Sequence, residues 1–277
     1  MPMKVYAVLV LLLVGFIYSA DIYIVFTANV NGILEDCHCG NEPLGGLARL
    51  KTFFSEFKQN HPNTLFIDGG DFFNPYKFTD LNQIMSELLY YLPYNILTPG
   101  DQEFVEGHPF FQAHLQRYQS IYLASNCNFG QKRIERKINN IPVTIVSYLS
   151  PLCFSFINKP EQIEIDTVLA VPYAGQNTAL TVLIYHGETR YAEKFIHKSK
   201  EIDLVLMGHA QRLDSWKINE TFFVGGGLDT ELVMIIAASI NNAGWQFDVT
   251  SRRMDQSVTE NDQVKKIIEQ RKQGKKG

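Results

Sequence analysis

Short apolar segments alternate with amphipathic segments along the chain, a pattern typical of an α/β protein. Apolar side chains at helical spacing predict helices, which fall at 47–59, across Leu81, Ile84, Leu88 and Leu92 up to Pro93, at 189–198 and at 261–270. The remaining apolar runs predict strands, which fall at 22–26, 64–67, 94–97, 133–138, 142–148, 180–185, 203–207, 232–240 and 245–251.

Polar residues recur at the ends of five predicted strands, each time in a loop that contains glycine. They are Asn29 and Asn31, Asp71, Asp101, His186 and His209. Loops at strand ends of an α/β sheet gather at one edge, where such folds place their sites. One such loop would indicate only a turn, because Asp and Asn favour turns. Five of them, two ending in His next to Gly, favour a metal site.

Composition and charge limit the class of protein. The chain has 277 residues, of which 45% are hydrophobic and 19% charged, as in a globular protein with a substantial core. The net charge of -4 provides no basic field, so we expect no nucleic-acid partner. No repeat or linker divides the sequence, and we expect a single domain over 21–277.

The N-terminal segment predicts export. Lys4 precedes an apolar run at 5–18, and the small residues Ser19 and Ala20 follow it. This is the pattern of a signal peptide at 1–20, which predicts a periplasmic or extracellular protein with no membrane span after its removal. Tyr18 is unfavourable for cleavage, because the position three residues before a cut normally carries a small side chain. An uncleaved N-terminal anchor is therefore the alternative.

Six short motifs in a fixed order carry a resemblance to a known family. They are 27–32, Gly45-Gly46-Leu47-Ala48-Arg49, Gly70-Asp71, Gly100-Asp101-Gln102-Glu103-Phe104, His186-Gly187 and Gly208-His209-Ala210-Gln211. Together they resemble the 5'-nucleotidase / UDP-sugar hydrolase branch of the calcineurin-like metallophosphatase superfamily. The chain looks most like a subset with Cys-x-Cys-Gly after the first loop, here Cys37 to Gly40.

The resemblance implies a four-layer α/β sandwich with two central mixed sheets flanked by helices. It also implies two divalent metals that share Asp71. One metal would be held by Asp71, Asp101, His186 and His209, and such a set of two carboxylates and two imidazoles suits Zn, Mn or Fe. We expect the separate C-terminal domain of the 5'-nucleotidases to be absent from residues 21–277.

The other half of the implied site departs from the family pattern. Asn29, Asn31 and Gln211 stand at ligand positions, and neutral amides bind transition metals poorly. We therefore expect one divalent transition metal and a second position that is weak or lost. Gln102 stands where the family has its catalytic His, and an amide cannot transfer a proton at neutral pH. No catalytic residue is assigned.

Cys37 and Cys39 follow the first loop and admit three interpretations. Their thiolates could replace the missing anionic ligands, or they could form a redox pair or a disulfide facing the cleft. They could also be structural, with bridges to Cys127 or Cys153.

Three hypotheses for function follow. The first is an exported, metal-binding metallophosphoesterase-like protein whose site is half altered and whose phosphoester hydrolysis is weak or changed, with a small phosphoester or nucleotide-like ligand. The second is an active hydrolase of a phosphate or sulfur ester that uses one metal or Cys37 and Cys39. The third is a non-enzymatic binding protein on the same fold.

Overall fold

The computed structural model describes residues 20–37, 42–169, 179–196, 201–210 and 212–273. The predicted signal peptide therefore lies outside the described residues, apart from Ala20. The α-helices of the described part are α1 (Leu47–Asn60), α2 (Thr79–Leu88), α3 (His108–Tyr118), α4 (Thr189–Ile196) and α5 (Asp262–Gln273). Its strands are β1 (Ile22–Thr27), β2 (Thr64–Asp68), β3 (Ile96–Leu97), β4 (Ile134–Ile138), β5 (Ile141–Leu149), β6 (Leu180–Gly187), β7 (Leu204–His209), β8 (Ser215–Ile218), β9 (Thr221–Gly225), β10 (Leu232–Asn241) and β11 (Gly244–Arg253).

The strands form two mixed sheets. The first has the order β11-β10-β1-β2-β3, in which β1, β2 and β3 are parallel and β10 pairs antiparallel with both neighbours. The second has the order β4-β5-β6-β7-β9-β8, in which four central parallel strands are flanked by antiparallel edge strands. Parallel strands end at the same edge of their sheet, so the loops that follow them lie together.

Alternation of side chains along the central strands divides the core into three layers of apolar contacts. Ile24 of β1 and Val182 of β6 lie in the core between the two sheets. Val25 of β1 faces a core that it shares with α1, α2, α3 and α5. Leu183 of β6 faces a third core, built with α4. The order of layers is helices, sheet, sheet, helix, and the predicted four-layer sandwich is confirmed.

The structure corrects several predicted elements. The second predicted helix is α-helical only to Leu88 and continues as a 3₁₀ turn at Leu89–Tyr91. Pro93 explains the early end, because its ring excludes a helical carbonyl at residue 89 and forces Leu92 into an extended conformation. The strand predicted at 94–97 pairs only over β3. Residues 197 and 198 of the predicted fourth helix lie outside the described residues.

Two features of the fold were not predicted. Helix α3 buries Phe111, His114 and Tyr118, whose spacing is helical and could have revealed it. The hairpin of β8 and β9 is too short for a clear alternation, and its pairing with β7 is a long-range contact. No helix in the described part of the chain is long and apolar enough to cross a membrane.

Candidate metal centre

The carboxyl ends of four strands bring four predicted ligands together. Asp71 follows β2, Asp101 follows β3, His186 lies near the end of β6, and His209 ends β7. One oxygen or nitrogen atom of each side chain lies within 4.8 Å of the others. Asp71, Asp101 and His186 are buried, and His209 is partly exposed. The fold therefore assembles the cluster from both sheets.

The ligand atoms of this cluster lie close enough to one another for a single metal ion to contact all four side chains. His186 Nε2 lies 3.3 Å from Asp71 Oδ1 and 3.4 Å from Asp101 Oδ1. His209 Nδ1 lies 3.2 Å from Asp101 Oδ1 and 3.6 Å from Asp71 Oδ2. Asp101 Oδ1 and His186 Nε2 are buried without a hydrogen-bond partner. Buried polar atoms are rarely left unpaired, so these two orphaned atoms fit a metal ion as their partner.

A backbone contact sets the tautomer of His186. Its Nδ1 lies 2.8 Å from the carbonyl oxygen of Gly69, so Nδ1 carries a proton, and Nε2 is the nitrogen that faces the carboxylates and would bind a metal. Glycines make this approach possible. A Cβ at Gly208 would lie 2.2 Å from Gly69 O, and one at Gly100 would lie 2.2 Å from Asp71 Oδ1. The glycines that precede Asp101 and His209 are therefore required by packing.

Glu103 joins the two loops that carry the aspartates. Its buried carboxylate accepts hydrogen bonds from the backbone N–H groups of Gly100 (2.6 Å), Asp71 (3.0 Å) and Phe72 (2.8 Å). These bonds hold Asp71 in a left-handed conformation, with φ of 61°. Burial and the charge of Asp71 raise the pKa of Glu103 to about 7, against the opposing effect of the three hydrogen bonds. Glu103 lies within one of the motifs that carry the resemblance, and no role was predicted for it.

Asp71 and the imidazoles of the cluster shift one another's pKa values, because each stabilises the charged form of the other. Contacts with Asp101 and then Asp71 raise the pKa of His209 to about 9. Burial alone would raise the pKa of Asp71, but the neighbouring His186 and His209 hold it well below its usual range. Burial opposes charge on His186, and the two carboxylates nevertheless raise its pKa well above the ordinary value. A divalent cation would compete with protons for these groups.

Asn29 and Asn31, which stand at predicted positions of a second metal, make hydrogen bonds within the protein. Asn29 Oδ1 accepts from the backbone N–H of His209 (3.0 Å), and Asn29 Nδ2 donates to Gly227 O (3.3 Å). Asn31 Nδ2 donates to Asp229 Oδ1 (2.7 Å), and Asn31 Oδ1 accepts from Gln102 Nε2 (3.0 Å). Gln211 lies outside the described residues.

Asp229 was missed by the sequence analysis. It lies in the loop after β9, with no motif around it, and no local signal points to its contact with Asn31. The two residues are 198 positions apart in the chain.

The structure excludes the two bridges considered above for Cys37. Cys37 is disulfide-bonded, whereas Cys127 and Cys153 are free and buried. Bridges from Cys37 to Cys127 or Cys153 are therefore wrong, because both of those thiols lie in the main apolar core, where Cys153 Sγ donates to Ser150 O (2.8 Å). In this state Cys37 carries no thiolate for a metal. Cys39 lies outside the described residues.

A two-sheet sandwich with carboxylates and imidazoles at its strand ends defines a metallophosphoesterase fold. The family model for the calcineurin-like phosphoesterases matches residues 33–212, which is more than half of the chain. The chain belongs to the calcineurin-like phosphoesterase family.

Solved structures support the fold. A sulfate thiohydrolase SoxB from Thermus thermophilus matches with a TM-score of 0.76 and 13% identity over 91% of this chain and 60% of that one. A 5'-nucleotidase precursor, also from Thermus thermophilus, has a TM-score of 0.77 and 17% identity over 91% of this chain and 58% of that one. The calcineurin-like phosphoesterase YfkN from Bacillus subtilis has a TM-score of 0.69 and 16% identity, covering 91% of this chain and 97% of that one.

These similarities show that the chain shares its fold with 5'-nucleotidases and with SoxB. At such low identity they establish the fold alone, and the chain spans about 60% of the length of the first two structures. No curated protein matches the sequence. Membership of the subset with Cys-x-Cys-Gly stays a prediction.

Proposed function

We propose that this chain is an exported metallophosphoesterase-like protein that binds one divalent transition metal and hydrolyses small phosphoesters weakly. Asp71, Asp101, His186 and His209 would hold the ion. Two carboxylates neutralise a divalent charge, and two imidazoles favour Zn, Mn or Fe over Mg or Ca. A nucleotide-like phosphoester is the expected ligand, by similarity of fold to the 5'-nucleotidases.

The hydrogen bonding of the altered half carries the proposal. The side-chain oxygens of Asn29 and Asn31 already accept hydrogen bonds from other parts of the protein. Neither amide brings negative charge. Asp71, which the first ion also uses, would therefore be the only charged ligand of a second transition metal at this position. The amides instead tie the first loop to the segments that carry His209 and Gln102.

The expected weakness of hydrolysis follows from the groups around the ion. A bound divalent metal supplies a Lewis acid for a phosphoryl oxygen. Gln102 hydrogen-bonds but cannot transfer a proton, and the lack of a general acid costs about 10²–10⁴ in rate.

Metal stoichiometry and turnover, measured together, test the proposal. We expect about one equivalent of transition metal in the wild type and slow hydrolysis of p-nitrophenyl phosphate and nucleotides. A quadruple variant with Asn29→Asp, Asn31→His, Gln102→His and Gln211→His should bind a second equivalent and gain about 10²-fold or more in turnover.

A matched control introduces the same types of side chain, Asp and His, at a turn outside the candidate metal centre. Asn139 and Asn140 form the turn between β4 and β5 with positive φ angles of 50° and 65°. Asn139→Asp with Asn140→His should change neither metal content nor turnover. Two tightly held ions with rapid nucleotide hydrolysis in the wild type would refute the proposal, and one ion with no hydrolysis of any ester would favour the non-enzymatic binding protein.

Export rests on the N-terminal sequence pattern and is tested separately. We expect the protein in the periplasmic or extracellular fraction with Met1 to Ala20 removed, as N-terminal sequencing would report. Recovery in the membrane fraction with Met1 retained would favour the uncleaved anchor.

A further inference from the structure

Asp229, Asn31 and Gln102 form a hydrogen-bonded chain beside the candidate metal centre. Asp229 Oδ1 accepts from Asn31 Nδ2 (2.7 Å), and Asn31 Oδ1 accepts from Gln102 Nε2 (3.0 Å). The backbone N–H of Gln102 donates to Asp71 Oδ1 (3.2 Å). Gln102 therefore extends from a predicted ligand toward the altered half of the site.

The carboxylate at one end dictates the orientation of both amides. An ionised carboxylate only accepts hydrogen bonds, so the NH₂ group of Asn31 must face Asp229. The oxygen of Asn31 then faces Gln102 and requires a donor, which only the NH₂ group of Gln102 provides. The carbonyl oxygen of Gln102 is thereby turned away from Asn31.

That carbonyl oxygen is left without a partner. Gln102 Oε1 is buried and accepts no hydrogen bond from the described residues. It shares this state with Asp101 Oδ1 and His186 Nε2, the two orphaned atoms of the candidate centre. A buried unpaired acceptor is costly, and its natural partner is a hydrogen-bond donor on a molecule that binds there.

Asp229 itself is firmly positioned. Its backbone N–H donates to Asn29 O (2.9 Å), and the hydroxyl of the next residue, Thr230, accepts from the backbone N–H of Gly46 (2.7 Å). Asp229 and Thr230 both have positive φ, at 50° and 61°. Strained backbone held by several contacts is common where a side chain must keep one direction.

We propose that Asp229 is a positioning residue which, through Asn31, makes Gln102 a hydrogen-bond acceptor toward the bound ligand, so that the site selects oxyanions that carry a proton. Hydrogen phosphate and phosphate monoesters that keep a proton can donate to Gln102 Oε1. Sulfate carries no proton and would face the carbonyl oxygen with an oxygen of its own. The inference rests on the proposed function, because it assumes that the metal centre binds an oxyanion.

Anion binding to the metal-loaded protein tests this selectivity. At about pH 8 phosphate and sulfate are both dianions, and only phosphate carries a proton. Calorimetric titration should give a phosphate affinity at least about tenfold above that of sulfate, the ratio expected when a buried polar group loses its hydrogen bond. Gln102→Met keeps the length of the side chain, removes the acceptor and should bring the ratio close to one.

A double-mutant cycle shows whether Asp229 acts through Gln102. Asp229→Asn allows the side-chain amides of Asn31 and Gln102 to turn over. It should lower the ratio of phosphate to sulfate affinity in an otherwise wild-type protein and leave that ratio unchanged in the Gln102→Met background. Asp248→Asn, at an exposed position of β11, is the matched control and should leave the ratio as in the wild type.

The outcomes separate this inference from the proposed function. Failure to bind a transition metal would refute the proposed function itself. A metal-loaded protein that binds the two anions equally, prefers sulfate or binds neither would overturn the selectivity alone. An equal effect of Asp229→Asn in both backgrounds would show that Asp229 acts only on the fold.

Discussion

Glu103 offers the sharpest test of how the candidate centre is held. Replacement by Ala removes the acceptor of three hydrogen bonds from Gly100, Asp71 and Phe72. Glu103 is 2% exposed, so the three N–H groups would lose their partner inside the protein. Each buried, unpaired donor costs about 1–3 kcal/mol, and water entering the space would recover part of the total. We expect a loss of about 3–6 kcal/mol in the free energy of unfolding.

Replacement of Glu103 by Gln should cost less, for a reason visible in the geometry. Oε2 accepts from two of the N–H groups, and Oε1 accepts only from Phe72. An amide that places its oxygen at the Oε2 position keeps two bonds and sets its NH₂ group against one donor. We expect a loss of about 1–3 kcal/mol. The metal affinity should fall about 10–100-fold in either variant, because residues that orient ligands have effects of that size.

Thermal melting and metal titration of the same preparations measure both effects. About 2–4 °C of melting temperature corresponds to 1 kcal/mol in a chain near this size, so Glu103→Ala should melt roughly 6–24 °C lower. Glu56→Ala, at an exposed position of α1, is the control and should change neither quantity. A melting temperature of Glu103→Ala within about 3 °C of wild type, with unchanged metal affinity, would refute the reasoning.

Three further predictions concern the same molecule. Burial, with a smaller effect of Arg117, lowers the pKa of His114 to about 3, whereas the unfolded chain takes up a proton below about 6.5. The stabilising contribution of neutral His114 is therefore lost as pH falls from about 6.5 toward 3, and about 2 kcal/mol should disappear by pH 5. Urea unfolding at pH 7 and pH 5 should show this loss in the wild type and a smaller one in His114→Gln; equal losses would contradict it. Gly208→Ala places a methyl group against Gly69 O and should lower both the melting temperature and metal content, while Ala at the open position Gly107 should leave metal content unchanged. His186→Ala should abolish tight metal binding in a calorimetric titration, and His108→Ala, at the start of α3, should not.

The sequence predicted much of the fold because the relevant patterns are local. Apolar runs and helical spacings gave most strands and helices within a few residues. Bounds were wrong where Pro93 or short pairing partners intervened, and α3 was overlooked although its buried residues have helical spacing. The four residues of the candidate centre were found for a similar reason. Asp71, Asp101, His186 and His209 each follow an apolar strand next to glycine, and parallel strands bring such loops to one edge.

Contacts between segments that are distant in the chain were decided only by the tertiary structure. Nothing in the sequence distinguishes Glu103 from the other acidic residues. Its role follows from the structure, in which the loops of Asp71 and Gly100 both donate hydrogen bonds to its carboxylate. Asp229 meets Asn31 across 198 positions, and the orientation of Gln102 depends on that meeting. A hydrogen bond requires two atoms within about 3 Å, and sequence spacing carries that information only for neighbours within a helix, strand or turn. The sequence by itself therefore determined which chemical groups reach the edge of the sheets, and the packing of the loops decided which way each group faces.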